Sequence, residues 1–194
     1  QWIQQHQVKV GVEEWTPVIF SKADGTAGGL AGGYLDLVAK YTGLQYEMTS
    51  DLWDPLLQRF KAGELDVLPA TLHTDERATF GLFSDPYFKM REFFYIRNDN
   101  DAIKSELDLA HSKIVVVKGY GSIGKLKRHF PGATIVEAFD LPAAINAVLN
   151  SEVEALIDAQ MVVGSAIERD AIFGLKGVTQ NLFPPSPVHF LSRI

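Results

Sequence analysis

A glycine-rich segment past the middle of the chain is the first feature that could do chemistry. In VVVKGYGSIGKL, residues 115–126, an apolar run leads into Gly119, Gly121 and Gly124, which have the spacing G-x-G-x-x-G. With Glu137 downstream this is typical of a dinucleotide site, and the same letters almost form the phosphate loop G-x-x-x-x-G-K. Glycines also let backbone N–H groups at a helix N-terminus approach a small anion closely. The segment therefore predicts an anion site, for a phosphate or for a carboxylate.

Two observations disfavour a nucleotide, which stays as an alternative. The glycines come late in the chain, and too few residues follow them to build the remaining strands of a dinucleotide fold. Leu126 follows Lys125 at the position where a phosphate loop needs a Ser or Thr hydroxyl for Mg²⁺. A nucleotide is therefore disfavoured, and a carboxylate would suit the site as well as a phosphate.

Composition excludes several classes of partner and cofactor. The 194 residues carry a formal net charge of -6, and the basic cluster within residues 118–128 reads as a solvated helix face, so no nucleic-acid partner is predicted. Cysteine is absent, which excludes disulfides and thiolate metal sites. The five histidines lack metal-binding spacing, so neither a metal nor a cofactor is expected. No apolar run reaches the ~18 residues that span a bilayer.

Hydrophobic periodicity predicts two α/β lobes that would position such a site. The first half reads β-α-β-α-β, which implies a mostly parallel sheet with crossover helices. Its strands are predicted at 8–12, 45–48 and 65–70, and its helices at 34–41 and from an Asp54 N-cap to Gly63.

A polar stretch, RNDNDAIKSE, marks a boundary after Ile96, and the pattern then restarts. Strands are predicted at 114–118, 134–139, 155–157 and 188–191, and helices at 122–130, 140–150 (capped by Asp140) and 160–171. The first lobe is expected to comprise residues 1–96 plus 184–194, and the second residues 97–183.

Several stretches together resemble the family-3 extracellular solute-binding proteins. VGVEEWTPVIF, GELDVLPATLHTDER and LFSDPYF match family motifs in order and spacing, and VKGYGS and VEALIDA are similar to second-lobe elements. The resemblance covers essentially the whole chain. It implies the Venus-flytrap fold of periplasmic binding proteins of type 2, in which two lobes joined by two hinge strands hold an amino acid or similar solute between them.

The resemblance also implies a set of ligand-binding residues. Arg77 corresponds to the arginine that clamps the ligand α-carboxylate, for which a guanidinium is geometrically suited. Tyr120, Gly121 and Ser122 correspond to the loop that adds N–H donors to that carboxylate. Asp158 corresponds to the carboxylate that receives the α-ammonium group.

The remaining implied contacts come from the first half of the chain. Trp15 and Trp53 correspond to residues that line the ligand side chain, although the residues alone fit ordinary core positions equally well. Ala70 and Leu72 correspond to backbone contacts. The family usually has Ser or Thr at the position of Leu72, so one hydroxyl contact is absent here. The loop from Gly11 to Trp15 is one residue shorter than is usual, and the sequence stops before the C-terminal helix that normally completes the first lobe.

Local structural roles remain as alternatives for the two charged residues. Arg77 follows Thr74 in a short helix, where it could form a surface ion pair with Asp75 or Glu76. Asp158 follows a strand and could cap the helix predicted after it.

The N-terminal sequence QWIQQHQVKVGV is similar to the lead-in of sensor domains fused to bacterial histidine kinases or cyclic-dinucleotide enzymes. The expected function is therefore a periplasmic sensor domain that binds a small carboxylate-bearing solute and is tethered to the inner membrane within a receptor. It is expected not to be an enzyme, and a homodimer remains open. The alternatives are the binding component of an amino-acid ABC transporter and, third, a cyclohexadienyl dehydratase-like enzyme with Glu137 or Asp158 as general acid.

Overall fold

The computed structural model describes residues 6–178 and 183–194. The first five residues of the predicted N-terminal lead-in lie outside the described residues, as do residues 179–182. The chain divides into two compact units, one formed by residues 1–89 and 187–194 and the other by residues 90–186.

The first unit contains a mixed sheet with β1 near its centre. The strands of this unit are β1 (Gln7–Val12), β2 (Phe20–Ser21), β3 (Ala27–Gly28), β4 (Gln45–Ser50), β5 (Val67–Leu72), β6 (Gly81–Phe83), β7 (Phe88–Met90) and the last strand of the chain, β13 (Ser186–Arg193). Strands β2 and β3 pair with each other in a separate two-stranded sheet. Its helices are α1 (Gly29–Thr42), α2 (Trp53–Lys61) and α3 (Asp75–Ala78). The main sheet has the order β4-β1-β5-β13-β6, with β1 parallel to both β4 and β5. The β-α-β-α-β prediction is confirmed.

Helix α2 packs closely beside β1. The buried residues of α2 are Trp53, Leu56, Leu57 and Phe60, the spacing of one apolar helix face. A Cβ added at Gly11 of β1 would lie 2.9 Å or less from the side chains of Leu65 and Leu68, so only glycine lets these groups approach.

The predicted Asp54 cap of α2 is wrong. The helix begins one residue before Asp54, at Trp53, and its N-cap is Leu52, which makes no side-chain hydrogen bond. Burial of Trp53 in the first turn thus takes precedence over the capping preference of an aspartate.

The second unit contains a five-stranded sheet with helices on both faces. Its elements are β8 (Glu92–Arg97), a 3-10 helix (Glu106–Leu109), β9 (Lys113–Val117), α4 (Ser122–His129), β10 (Thr134–Ala138), α5 (Leu141–Leu149), β11 (Ala155–Ala159), α6 (Gln160–Arg169) and β12 (Leu175–Gly177). The order is β10-β9-β11-β8-β12. Ile114 of β9 packs in one core cluster with Leu126 of α4, whereas Val115 packs in another with Ile145 of α5.

The boundaries between the units differ from the predicted ones. The chain enters the second unit after Lys89, not after Ile96, and it leaves after Ser186. The reason is that β8 pairs antiparallel with β11 and with β12, and its Phe94 and Ile96 side chains belong to the core of the second unit. Pairing with a distant strand, which local composition does not reveal, sets the boundary.

The N-cap of α5 provides a test of the local structure. The Asp140 carboxylate accepts a hydrogen bond from the Ala143 N–H at 2.8 Å, as its sequence position predicted. Asp140→Ala should lower the free energy of unfolding by about 1 kcal/mol, because an N–H donor of the first turn loses its acceptor. Urea denaturation measures this change. Asp140→Asn, which retains a capping oxygen, should remain near wild type, and equal stability of both variants would contradict the cap.

Candidate functional site

Arg77 of the first unit is a buried guanidinium held from two sides. Its backbone N–H donates to the Thr74 hydroxyl at 3.1 Å, which starts α3. The residue is only 4 % exposed. Its Nη1 donates to the Leu72 carbonyl at 2.7 Å, and its guanidinium carbon lies 4.9 Å from the centre of the Trp53 ring. A planar guanidinium with one edge bonded and one face on an indole has a defined orientation.

Within the first unit, Leu72 and Trp53 both contact Arg77. The Leu72 carbonyl orients the arginine, and the buried Trp53 ring supports it. Arg77 is buried and does not lie at the surface, where the sequence alternative placed it, and the Glu76 carboxylate contacts Lys61 Nζ at 3.0 Å.

Trp15 and Ala70 lie near the carboxyl ends of neighbouring strands. Trp15 follows β1, its backbone N–H donates to the Ile19 carbonyl at 2.8 Å, and its indole is buried. Ala70 is partly exposed on β5, which is parallel to β1. The carboxyl ends of parallel strands meet at one edge of a sheet, so both residues and Leu72 belong to that edge.

The glycine-rich segment of the second unit is a turn between β9 and α4. Gly119 has φ +77°, a left-handed conformation that glycine adopts without strain. Tyr120 N–H donates to the Val117 carbonyl at 3.1 Å, Gly121 is the N-cap, and Ser122 is the buried first residue of α4. The first N–H groups of a helix have no acceptor within it and carry partial positive charge. We name residues 119–122 the glycine turn, and its chemistry suits a carboxylate.

The third glycine of the motif does not play the part it has in a dinucleotide site. There it allows close packing of the helix on the strand. Gly124 lies within α4, and a Cβ added to it would meet only the Arg128 side chain, at 3.5 Å. The structure thus gives no support to the dinucleotide alternative at this position.

Asp158 lies at the same edge of the second sheet as the glycine turn. It occupies β11, which is parallel to β9, and it is 2 % exposed. Its Oδ1 accepts a hydrogen bond from the Ala159 N–H at 2.6 Å. The capping alternative is wrong, because Ala159 is the N-cap of α6 and that helix has no side-chain cap.

Tyr95 of β8 is a neighbour of Asp158 that the sequence did not reveal. Burial, and secondarily the charge of Asp158, raise the pKa of the Tyr95 phenol to about 12. Tyr95 pairs with Leu156 across the antiparallel strands β8 and β11, a register that only the folded sheet defines. The phenol therefore remains neutral beside the carboxylate at physiological pH.

A polar cluster of Glu92, Lys125 and Ser186 was also missed. A signal was present in the sequence, because Glu92 is a single acidic residue in the otherwise apolar run EFFYI.

Within residues 6–178 and 183–194, no group of three or more His, Cys, Asp or Glu residues is arranged to hold a metal ion. No helix in those residues is long and apolar enough to cross a membrane.

Comparison with known proteins gives a consistent set of similarities. The profile of the bacterial extracellular solute-binding proteins, family 3, matches residues 8–177. The virulence sensor protein BvgS of Bordetella pertussis is 27% identical over 191 residues, which are 97% of this chain and 15% of that protein. The crystal structure of the BvgS periplasmic VFT2 domain has a TM-score of 0.86 and 26% identity, covering 100% of this chain and 83% of that one. A probable histidine-binding protein of Campylobacter jejuni is 26% identical over 155 residues, 79% of this chain and 60% of that protein.

The raised pKa of Tyr95 predicts a change of stability at alkaline pH. Unfolding restores the phenol to a pKa near 10.0, so between that pH and about 12 the unfolded state loses its proton first. The stabilisation is complete below pH 10.0 and is lost as pH rises towards 12. The free energy of unfolding, measured by urea titration, should decrease less at alkaline pH in Tyr95→Phe than in the wild type, by at most about 2–3 kcal/mol. Tyr41→Phe, at an exposed ring, serves as the control, and matching curves for both variants would contradict the prediction.

Proposed function

Because the chain belongs to the family 3 bacterial extracellular solute-binding proteins and has their Venus-flytrap fold, we propose that it is a ligand-sensing domain for a small carboxylate-bearing solute. The proposed solute is an amino acid or a related compound. The candidate binding groups are Arg77 in the first unit and the glycine turn and Asp158 in the second.

The observation that carries the proposal is the burial of an oriented guanidinium at Arg77. Burying a charge is unfavourable unless the charge is paired or hydrogen-bonded, so such groups are typical of sites for an opposite charge. Leu72 and Trp53 fix the plane of the guanidinium before a ligand arrives. A fixed, planar donor pair suits the two oxygens of a carboxylate, and prior orientation reduces the entropy lost on binding.

The second unit supplies complementary chemistry. Amide groups of the glycine turn suit the carboxylate of a solute, whereas the buried Asp158 suits an ammonium group. A molecule with both charges on neighbouring atoms, such as an α-amino acid, fits this combination. The similarity to a probable histidine-binding protein supports the same class of ligand.

The sensor role rests on similarity to BvgS, of which the chain spans about 15%. We propose that the domain lies in the periplasm, within a membrane receptor, and signals by a ligand-driven change of shape. Shifting a two-state equilibrium from 1:99 to 99:1 needs about 5.5 kcal/mol of preference for one state. Charge-assisted hydrogen bonds contribute about 1.5–3 kcal/mol each, so two to four contacts suffice.

A transport receptor is the second candidate, because the similarity to the histidine-binding protein extends over most of this chain. A membrane helix followed by a kinase or cyclase domain in the full gene would distinguish the sensor from it. The proposal also holds that the domain is not an enzyme. Multiple turnovers of a cyclohexadienyl acid would overturn that part.

Replacing the guanidinium tests the clamp. L-Amino acids and simple carboxylic acids are first screened for thermal stabilisation of the wild type. For each compound that binds, Arg77→Met should weaken affinity in calorimetry by about 100-fold or more, because the substitution removes a buried charge partner and keeps apolar packing on Trp53. Arg59→Met, which removes an arginine paired with Glu64, is the matched control. Unchanged affinity in a folded Arg77→Met variant would refute the clamp.

Asp158→Asn tests the ammonium contact. The amide oxygen can still accept from the Ala159 N–H, so the local backbone keeps its bond. Affinity for an amino acid that binds the wild type should fall about 10- to 100-fold, since one charge-assisted hydrogen bond is lost. Affinity for its deaminated analogue should stay within about threefold of wild type. Equal losses for both compounds would show that Asp158 does not recognise the amine.

A further inference from the structure

Lys125 of α4 is bound to two parts of the second unit that are far apart in sequence. Its Nζ donates to the Glu92 carboxylate and, at 2.8 Å, to the Ser186 hydroxyl. The Ser186 hydroxyl in turn donates to Oε2 of Glu92 at 2.7 Å. The three side chains close a triangle of hydrogen bonds, which we name the latch.

The latch is shielded from water. The Glu92 side chain is 3% exposed and that of Lys125 27%, and Ser186 is buried. The ammonium also lies 5.7 Å from the centre of the Phe183 ring, a favourable cation–π arrangement. This ion pair resists separation, because the buried Glu92 carboxylate would lose a positively charged partner. The latch should therefore move as one body.

The latch joins the two points at which the chain passes between the units. The chain enters the second unit between Lys89 and Met90, and Glu92 begins β8 just beyond that passage. It leaves between Ser186 and Pro187, so Ser186 is the last residue of this unit. One lysine thus holds both passages against the helix whose N-terminus forms the glycine turn.

We propose that Lys125 is a positioning residue that couples the glycine turn to both passages of the chain. Lys125 is one helical turn beyond Ser122, and a helix is rigid over so short a distance. A displacement of the turn by a bound anion is then transmitted through Lys125 to Glu92 and Ser186. The relevance to sensing rests on the proposed function, whereas the mechanical coupling is a property of the protein without ligand.

Amide hydrogen exchange of the unliganded protein, followed by NMR, tests the coupling. At the turn, the reporters are the amides of Tyr120 and Ile123, which donate to the Val117 and Tyr120 carbonyls. At the passages, the reporters are the Gln160 amide, bonded to the Arg91 carbonyl, and the Tyr87 amide, bonded to the Val188 carbonyl.

Lys125→Met, which keeps side-chain length beside Phe183, should accelerate exchange at all four reporter amides by about tenfold or more. Lys125→Arg should restore rates to within about threefold of wild type, since a guanidinium can bond both partners. Lys127→Met, an exposed change on the same helix, should leave the rates unchanged. The Thr134 amide, bonded to the Ser112 carbonyl, is the reference for general destabilisation of this unit.

Acceleration confined to the turn, or to the passages, would overturn the proposal. Equal acceleration of the Thr134 reference amide in both Lys125→Met and Ser186→Ala would also overturn the proposal. Ser186→Ala is the milder substitution, because it removes a single hydroxyl, and it keeps the test valid if Lys125→Met fails to fold. Loss of ligand binding in Arg77→Met addresses the proposed function, so the two ideas fail separately. An intact latch in a protein that binds no carboxylate would leave the coupling standing and remove its role in sensing.

Discussion

A buried positive charge needs partners that hold it in one place, and Arg77 is the group on which the proposed chemistry depends. The carbonyl of Leu72 takes one edge of the guanidinium and the Trp53 ring lies against it. Both partners come from ordinary structural elements, the end of β5 and the first residue of α2. The packing that forms the core of the first unit therefore also orients the candidate ligand-binding side chain.

The second unit reaches a related result with different groups. Its three parallel strands bring the glycine turn after β9 and Asp158 of β11 to the same edge of the sheet. One supplies N–H donors and the other a carboxylate, so the edge offers both signs of charge to a small molecule. The neutral Tyr95 phenol beside Asp158 adds no competing charge. Binding at the carboxyl edge of parallel strands is a general property of α/β sheets, which makes this placement physically reasonable for a solute-binding protein.

The latch adds a structural reason for the two passages to respond together. Glu92 and Ser186 are separated by most of the second unit in sequence, yet both contact Lys125. A hydrogen-bonded, buried ion pair is directional and resists partial opening, unlike apolar contacts that can slide. In a protein proposed to signal by a change of shape, such a contact would link the ligand site to the parts of the chain that connect the units.

The sequence by itself determined the order of elements, because hydrophobic periodicity and turn residues are local signals. The strand-helix alternation, the Asp140 cap and the glycine turn are found where they were predicted. The motifs likewise indicated the family, because their ordered combination is specific although each motif alone is weak. Arg77 and Asp158 were both named from the sequence; the structure shows that Arg77 is buried and that Asp158 is not the N-cap of α6.

Only the tertiary structure decided which elements pair and which side chains meet. Composition placed a boundary after Ile96, but antiparallel pairing of β8 with β11 assigns that strand to the second unit. The contact of the Trp53 ring with Arg77 was not visible in the sequence. Lys125 was expected to be a solvated basic residue and instead joins Glu92 and Ser186. These outcomes depend on contacts between residues far apart in the chain, and their energies arise from burial and geometry that exist only after folding.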